Sequence, residues 1–223
     1  MGESEVELVA IDVQTVRVSR MQETNLGDLV ADAFRTVFRA DIGWVNGGGL
    51  RGNIAAGQVT RGSLLAAMPY ANRLCRVRVT GQAILDALEV ACRQCPVPNG
   101  GFPQLSGLSV RLDTNIVSGV VLDAHGTFVR IEGQRRVKEA KVLQNGQWVP
   151  LNPKASYTVA GTEYVLLNGG DAVPFQGGRL LPNPQGVPDG MAETDVVTRY
   201  LQETLHGRIS AKRYGQSVGR IRY

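Results

Sequence analysis

Between Asn25 and Phe38 the apolar side chains Leu26, Leu29, Val30, Ala33, Phe34, Val37 and Phe38 recur at intervals of three and four. That spacing puts them on one stripe of an amphipathic helix. Thr24 or Asn25 is placed to cap its first amides, and Asp28 falls in the first turn, where the helix dipole favours an anion. A short strand, Ile42 to Val45, follows at once and runs into three glycines. The change of period from helix to strand within so few residues calls for layers of mixed type.

The rest of the chain alternates in the same way. Val6 to Val18 is rich in Val and reads as a strand without a clear face. Ser63 to Met68 reads as one or two helical turns stopped by Pro69. Leu74 to Val79 alternates as a half-buried strand, and Thr80 then caps a helix with Ile84, Leu85, Leu88 and Ala91 on one side. After a loop holding Pro96, Pro98, Gly100, Gly101 and Pro103, strand patterns cover Leu108 to Leu112, Val117 to Leu122, Phe128 to Ile131, Ala140 to Leu143 and Tyr157 to Ala160. Thr194 to Leu205 offers a final helix, and Val218 to Tyr223 a closing strand. The helices and strands lack a strict βαβ rhythm, so the expected class is α+β, in mixed α/β layers, with residues 1–223 as a single domain.

Composition removes several functions. With 24 Lys plus Arg against 20 Asp plus Glu the net charge is +4, too mild for wrapping nucleic acid. No apolar stretch reaches the roughly 18 residues of a membrane span. MGESEVELVA lacks the basic start and apolar run of a secretory signal, which fits either a cytosolic protein or a sequence that begins after a removed segment. Three Cys cannot close a disulfide framework. Cys92 and Cys95 form one C-x2-C pair with no second pair to complete a zinc site, leaving core packing or a local disulfide. His125, in an apparent turn, and His206, at a helix end, are the two histidines, and neither has a partner at short ligand spacing. No metal-ligand cluster and no G-x-S-x-G nucleophile turn is present, so no catalytic residue is assigned.

Three places are suited to binding. Asn46-Gly47-Gly48-Gly49-Leu50-Arg51 follows a strand: glycines let backbone amides turn toward an anion, and Arg51 adds a bidentate charge. Asn168-Gly169-Gly170-Asp171 sets a carboxylate, able to accept from a sugar diol, near Tyr164 and Val165. Pro69-Tyr70-Ala71-Asn72 presents an aromatic at a bend. Plain turns, and a core role for Tyr70, account for the same residues.

Taken in order, Arg20, Glu23-Thr24-Asn25-Leu26-Gly27-Asp28-Leu29, the Asn-Gly-Gly-Gly-x-Arg turn, the Pro69-Tyr70 bend and Asn168-Gly169-Gly170-Asp171 resemble the C-terminal domain of the 5'-nucleotidase family, which includes bacterial UDP-sugar hydrolases. The resemblance implies a nucleotide-binding domain whose catalytic partner is a separate N-terminal metallophosphoesterase domain with two divalent metal ions, absent from this chain. It implies that Arg20 and Arg51 hold the phosphate, with Asn46 a polar contact beside them. Tyr70 would stack on the base, Asn72 contact it, and Asp171 receive ribose hydroxyls. The family's second aromatic lies six residues before that Asp, which here is Val165, while Tyr164 lies seven before. Either Tyr164 swings in or the base is stacked on one face. On this reading the full-length parent hydrolyses nucleotide phosphate monoesters, this chain alone does not, and the protein is periplasmic or extracellular. The alternatives are a freestanding nucleotide- or nucleoside-binding module without catalysis, or a relative acting on cyclic nucleotides, nucleotide sugars or sulfur-pathway esters.

Overall fold

The computed structural model describes residues 1–175 and 177–223. A five-stranded sheet lies at its centre, in the order Arg179–Leu181, Leu74–Thr80, Ser156–Thr162, Ile42–Asn46, Pro103–Ser106. Ser156–Thr162 and Ile42–Asn46 are parallel, with Val159 opposite Ile42, and the other neighbours are antiparallel. Every residue of Ile42–Asn46 is buried, because the sheet is covered on both faces. Helix α1, Asn25–Val37, packs on one face with Leu26, Leu29, Val30 and Phe34 fully buried, together with Val45, Ala160, Val196 and Tyr200. Helix α2, Arg61–Ala67, adds Leu64 and Ala67 to that side. Helix α3, Gly81–Ala91, covers the other face through Ile84 and Leu88, which join Ile42, Trp44, Val77 and Val159. Burial of each such side chain stabilises by about 1.5–3 kcal/mol, so these helices persist through packing rather than propensity.

A second sheet pairs Gln147–Pro150, Val137–Gln144, Leu108–Leu112 and Ile221–Arg222 in that order. Thr24 caps α1 by accepting from the Gly27 N–H at 3.1 Å, and Thr80 caps α3 by accepting from Ala83 at 3.2 Å. Mixed layers of helix and sheet are therefore present as expected, and several boundaries shift. The final helix is Glu193–Arg199 continued by a wider turn, Tyr200–Thr204. Pro103–Ser106 is a strand that starts at the end of the proline-rich loop, and Gln147–Pro150 is a strand that the alternation does not single out.

One expectation fails for an identifiable reason, and one residue has a setting that the sequence does not show. Val6 to Val18 is not a strand. The strand is Gly2–Ser4, and in the following segment only Leu8 bridges to Ile54. Side chains take its amides instead: Asn25 Oδ1 accepts from Val9, and Asn53 Oδ1 accepts from Ala10 and Ile11. Asp28 does stand in the first turn of α1, as expected, but not on the surface. It is fully buried, and desolvation pushes its carboxyl up to about 8 despite the nearby Arg220 guanidinium.

The run from Glu23 to Leu29 is a clamp for the chain ends. Glu23 accepts from the N–H groups of Gly219 at 2.9 Å and Ile221 at 2.7 Å, Asp28 accepts from Val218 at 3.1 Å, and Asn25 Nδ2 donates to the carbonyls of Glu7 and Tyr214. A carboxyl raised to about 8 in the folded chain, against 3.8 as its ordinary value, stabilises most below the lower figure. That contribution is lost as pH climbs through the higher one. Thermal melts are accordingly expected to give a higher Tm at about pH 5.5 than at about pH 8.5, with Asp28→Asn flattening the slope. An unchanged slope in that variant contradicts the assignment.

Candidate functional site

The two parallel strands end side by side, and the chain diverges beyond them, which opens a crevice of the kind that ligands occupy at carboxyl ends of sheet strands. Ile42–Asn46 leads into a single turn, Gly47–Gly49, and Ser156–Thr162 leads into the short helix Glu163–Leu166. Leu74, opposite Thr162, brings the preceding loop with Tyr70 and Asn72 to the same edge. The cleft is about 310 Å³, and Arg20, Asn46, Arg51, Tyr70, Asn72, Tyr164 and Asp171 all line it, with Gly48, Gly49 and Gly100. Sequence positions up to 151 apart thus meet in one place, Arg20 and Asp171 being the extremes.

Arg20 and Arg51 set the electrostatics. Among the described residues neither guanidinium has a hydrogen-bonded or ion-paired partner, and Arg20 Nε is buried without an acceptor. Burial, then repulsion from Arg17 and Arg51, holds the Arg20 pKa below its ordinary value. Two cations that repel one another beside an orphan donor make a place that an anion would relieve. Arg51 Cζ also stands 5.8 Å from the Tyr70 ring centre, within cation–π range. The backbone amides contribute less than expected: Gly47 N–H donates to Phe102 O and Gly48 N–H to Gly100 O, each at 2.7 Å. Those two amides are thus spent inside the protein.

Asp171 sits in the left-handed region, at φ 57° and ψ 18°, after Gly169 at φ 66°. Its Oδ2 accepts from Asn46 Nδ2 at 3.0 Å, and Arg93 Nη1 donates to its carbonyl at 3.1 Å. Burial raises the carboxyl, while Asn46, Arg93 and Arg20 hold it down. The Tyr164 phenol, raised by burial and by the Asp171 charge, lies against it. Between Tyr164 and Val165 the geometry chooses Tyr164. Val165 N–H donates to Thr162 Oγ1, which turns Val165 into the core at 1% exposed, and Tyr164 faces outward with its ring over Gly170.

Several supporting residues have no signal in the sequence. Gln104 is fully buried. Its Nε2 donates to the carbonyls of Ser19 and Gln22, and its Oε1 accepts from Thr24, which fixes the turn carrying Arg20. Arg93 steadies Asp171, and Glu193 accepts from Asn72.

Residues 1–177 match the family described as "5'-nucleotidase, C-terminal domain". The chain belongs to that family. A 5'-nucleotidase of Vibrio parahaemolyticus is 30% identical over 206 residues, 92% of this chain and 31% of the relative. The trifunctional nucleotide phosphoesterase protein YfkN of Bacillus subtilis is 30% identical over 213 residues, 93% of this chain and 13% of the relative. The crystal structure of a 5'-nucleotidase precursor from Thermus thermophilus superimposes with a TM-score of 0.77 at 28% identity, covering 99% of this chain and 38% of that one. This 5'-nucleotidase C-terminal domain thus spans little more than a third, or less, of such proteins.

The two divalent metals implied by the resemblance do not fit these residues. Among the described residues no three His, Cys, Asp or Glu side chains gather as ligands, and the cleft of this 5'-nucleotidase domain offers one carboxylate, Asp171, already accepting from Asn46. His125 and His206 are exposed, and Cys75, Cys92 and Cys95 are free and buried, so the C-x2-C pair packs rather than bridges. A larger groove, about 740 Å³, carries Arg35, Lys141, Arg213, Arg220 and Arg222 near Trp148. Cations along it have partners of their own. Arg220 reaches Asp32 at 2.8 Å, Lys141 reaches Glu139 at 2.8 Å, and Arg213 lies 3.6 Å from Asp32. Val218, Gly219, Arg220 and Arg222 of the C-terminal tail form part of its wall.

Proposed function

We propose that residues 1–223 form one unit that holds a nucleoside phosphate in the cleft, for cleavage of the phosphate ester by a two-metal centre carried on another part of the same protein. The observation that carries this reading is the pair of guanidiniums, Arg20 and Arg51, without hydrogen-bond or ion-pair partners among the described residues, lining one cleft with two tyrosines. The phosphate sits between the arginines, the base against Tyr70 and Tyr164, and the ribose hydroxyls on Asp171, whose carboxylate accepts from a diol. Asn46 holds Asp171, and so joins the phosphate turn to the sugar turn. The chain's own part is to position the substrate. The extracytoplasmic location that the resemblance implies belongs to the same reading; among the described residues no helix is long and apolar enough to cross a membrane.

Calorimetric titration with AMP and with adenosine separates the parts. Arg51→Ala is expected to weaken AMP by roughly tenfold to a hundredfold, the worth of a charged hydrogen bond, and adenosine by far less. Equal losses for both ligands would detach Arg51 from the phosphate, and no binding of either by the wild-type chain would end the reading.

A further inference from the structure

The loop carrying Tyr70 and Asn72 is fastened by one carboxylate. Glu193, 3% exposed, opens the helix Glu193–Arg199. Its Oε1 accepts from the Asn72 backbone N–H at 3.3 Å and lies 3.5 Å from Asn72 Nδ2, while its own N–H donates to the Asn72 carbonyl at 2.9 Å. Leu74 N–H donates to Met191 O at 3.0 Å, and Arg73 bridges to Ala192, so the start of that helix is stitched along the strand that leads from the cleft.

An ionised carboxylate can only accept hydrogen bonds. Facing one, Asn72 turns its Nδ2 hydrogens toward Glu193, and Oδ1 becomes the atom it offers to the cleft it lines. We propose that Glu193 is a positioning residue that sets nucleobase preference: through Asn72 it presents an acceptor to the base, favouring an exocyclic amino group over a carbonyl at the same position. The inference rests on the nucleotide reading above and adds the choice of base to it. Proton uptake by Glu193 reverses that offer. A neutral carboxyl also donates, so it can hold Asn72 by Oδ1 and turn the Nδ2 hydrogens toward the ligand, where they suit a carbonyl.

The two forms are close in energy. Burial pushes the Glu193 carboxyl up, with the two Asn72 hydrogen bonds as the counterweight, to about 7. The elements beside or packed against its helix carry Tyr70 and Arg73 on the partner loop, Arg61 on α2, Asp189 before it, Asp195 and Arg199 on the helix itself, and Asp28 and Asp32 on α1. Asp28 and Asp32 face Arg220, Arg199 pairs with Glu203, and among the described residues none of these groups hydrogen-bonds or ion-pairs with Glu193. Its protonation is therefore governed by burial and by Asn72.

AMP and IMP differ in presenting an amino group or a carbonyl at one ring position, and the ionisation of their shared phosphate cancels in the ratio of affinities. Titrating the 223-residue chain at about pH 8, we expect AMP to bind about fivefold tighter than IMP, and at about pH 6 that preference to shrink severalfold or invert. Glu193→Gln, which holds no titrating proton, makes the ratio independent of pH. A constant wild-type ratio, or the same pH dependence in Glu193→Gln, overturns the proposal, and the wild-type profile decides it even where the variant does not fold. Failure of both nucleotides to bind would remove the nucleotide reading and this inference with it. Firm binding of both at a constant ratio removes the inference alone.

Discussion

Gly47→Ala is expected to cost the chain about 3 kcal/mol of stability, and what remains folded should bind AMP more weakly. A β-carbon at Gly47 would lie 1.9 Å from Ser19 O, 2.7 Å from Ser19 C and 3.2 Å from Arg20 N. These are backbone atoms with no flexible tip to yield. The turn Val18–Arg20 is also tied down, by Gln104 Nε2 to Ser19 O at 3.0 Å and by Ser19 Oγ to Gly47 O at 3.1 Å. Relief of the clash must break those bonds and move Arg20 out of the cleft. Urea unfolding should show a lower midpoint with an unchanged slope. Gly62→Ala is the control, since its β-carbon would find nothing nearer than Thr60 Oγ1 at 3.6 Å inside α2. It should be neutral or stabilise by about 0.5–1 kcal/mol. Equal effects of the two substitutions would mean that the contact between the glycine turn and the arginine turn is unimportant.

Much of the fold is legible where local physics and packing agree. The stripe from Leu26 to Phe34 is a helix because one face meets a sheet, and Thr24 and Thr80 cap because their hydroxyls reach the third residue on. Val6 to Val18 misleads because its Val content fits a strand while distant asparagines take its amides. Pro103–Ser106 hides at the end of the proline-rich loop. Pro103 only begins the strand, where its missing N–H costs nothing, and Asn46 pairs with it. The place of Asp28 in the first turn of a helix is legible, and its burial is not, because a sequence shows charge without its surroundings.

The site divides in the same way. All seven candidate residues could be named in order along the chain, but nothing in their spacing shows that they share a cleft, since they come from separate turns brought together by strand pairing. The choice between Tyr164 and Val165 is a matter of one helical step, about 100° of rotation, fixed by the Thr162 cap. Gln104, Arg93 and Glu193 act from buried or half-buried positions on the backbone or side chain of a site residue. An acid at the start of a helix is too ordinary to mark Glu193 from sequence.

The largest effect on binding is expected from replacing Tyr70 and Tyr164 together by alanine. Each aromatic that stacks on a base is worth about 1–3 kcal/mol, so losing both should cost roughly 3 kcal/mol or more, a drop in AMP affinity of over about a hundredfold. Stability should change little, because Tyr70 is 55% exposed and Tyr164 42% exposed. Loss of Tyr70 also frees Arg51 from the ring it stands over, which leaves the phosphate contact less ordered. Calorimetric titration of AMP into the wild-type chain and this double variant is the decisive measurement. The expected result is one saturable site in the wild type, more than about a hundredfold weaker in the variant at an unchanged Tm. A wild-type chain that takes up no AMP, or a variant that binds it as tightly, would contradict the assignment of this cleft to a nucleoside phosphate.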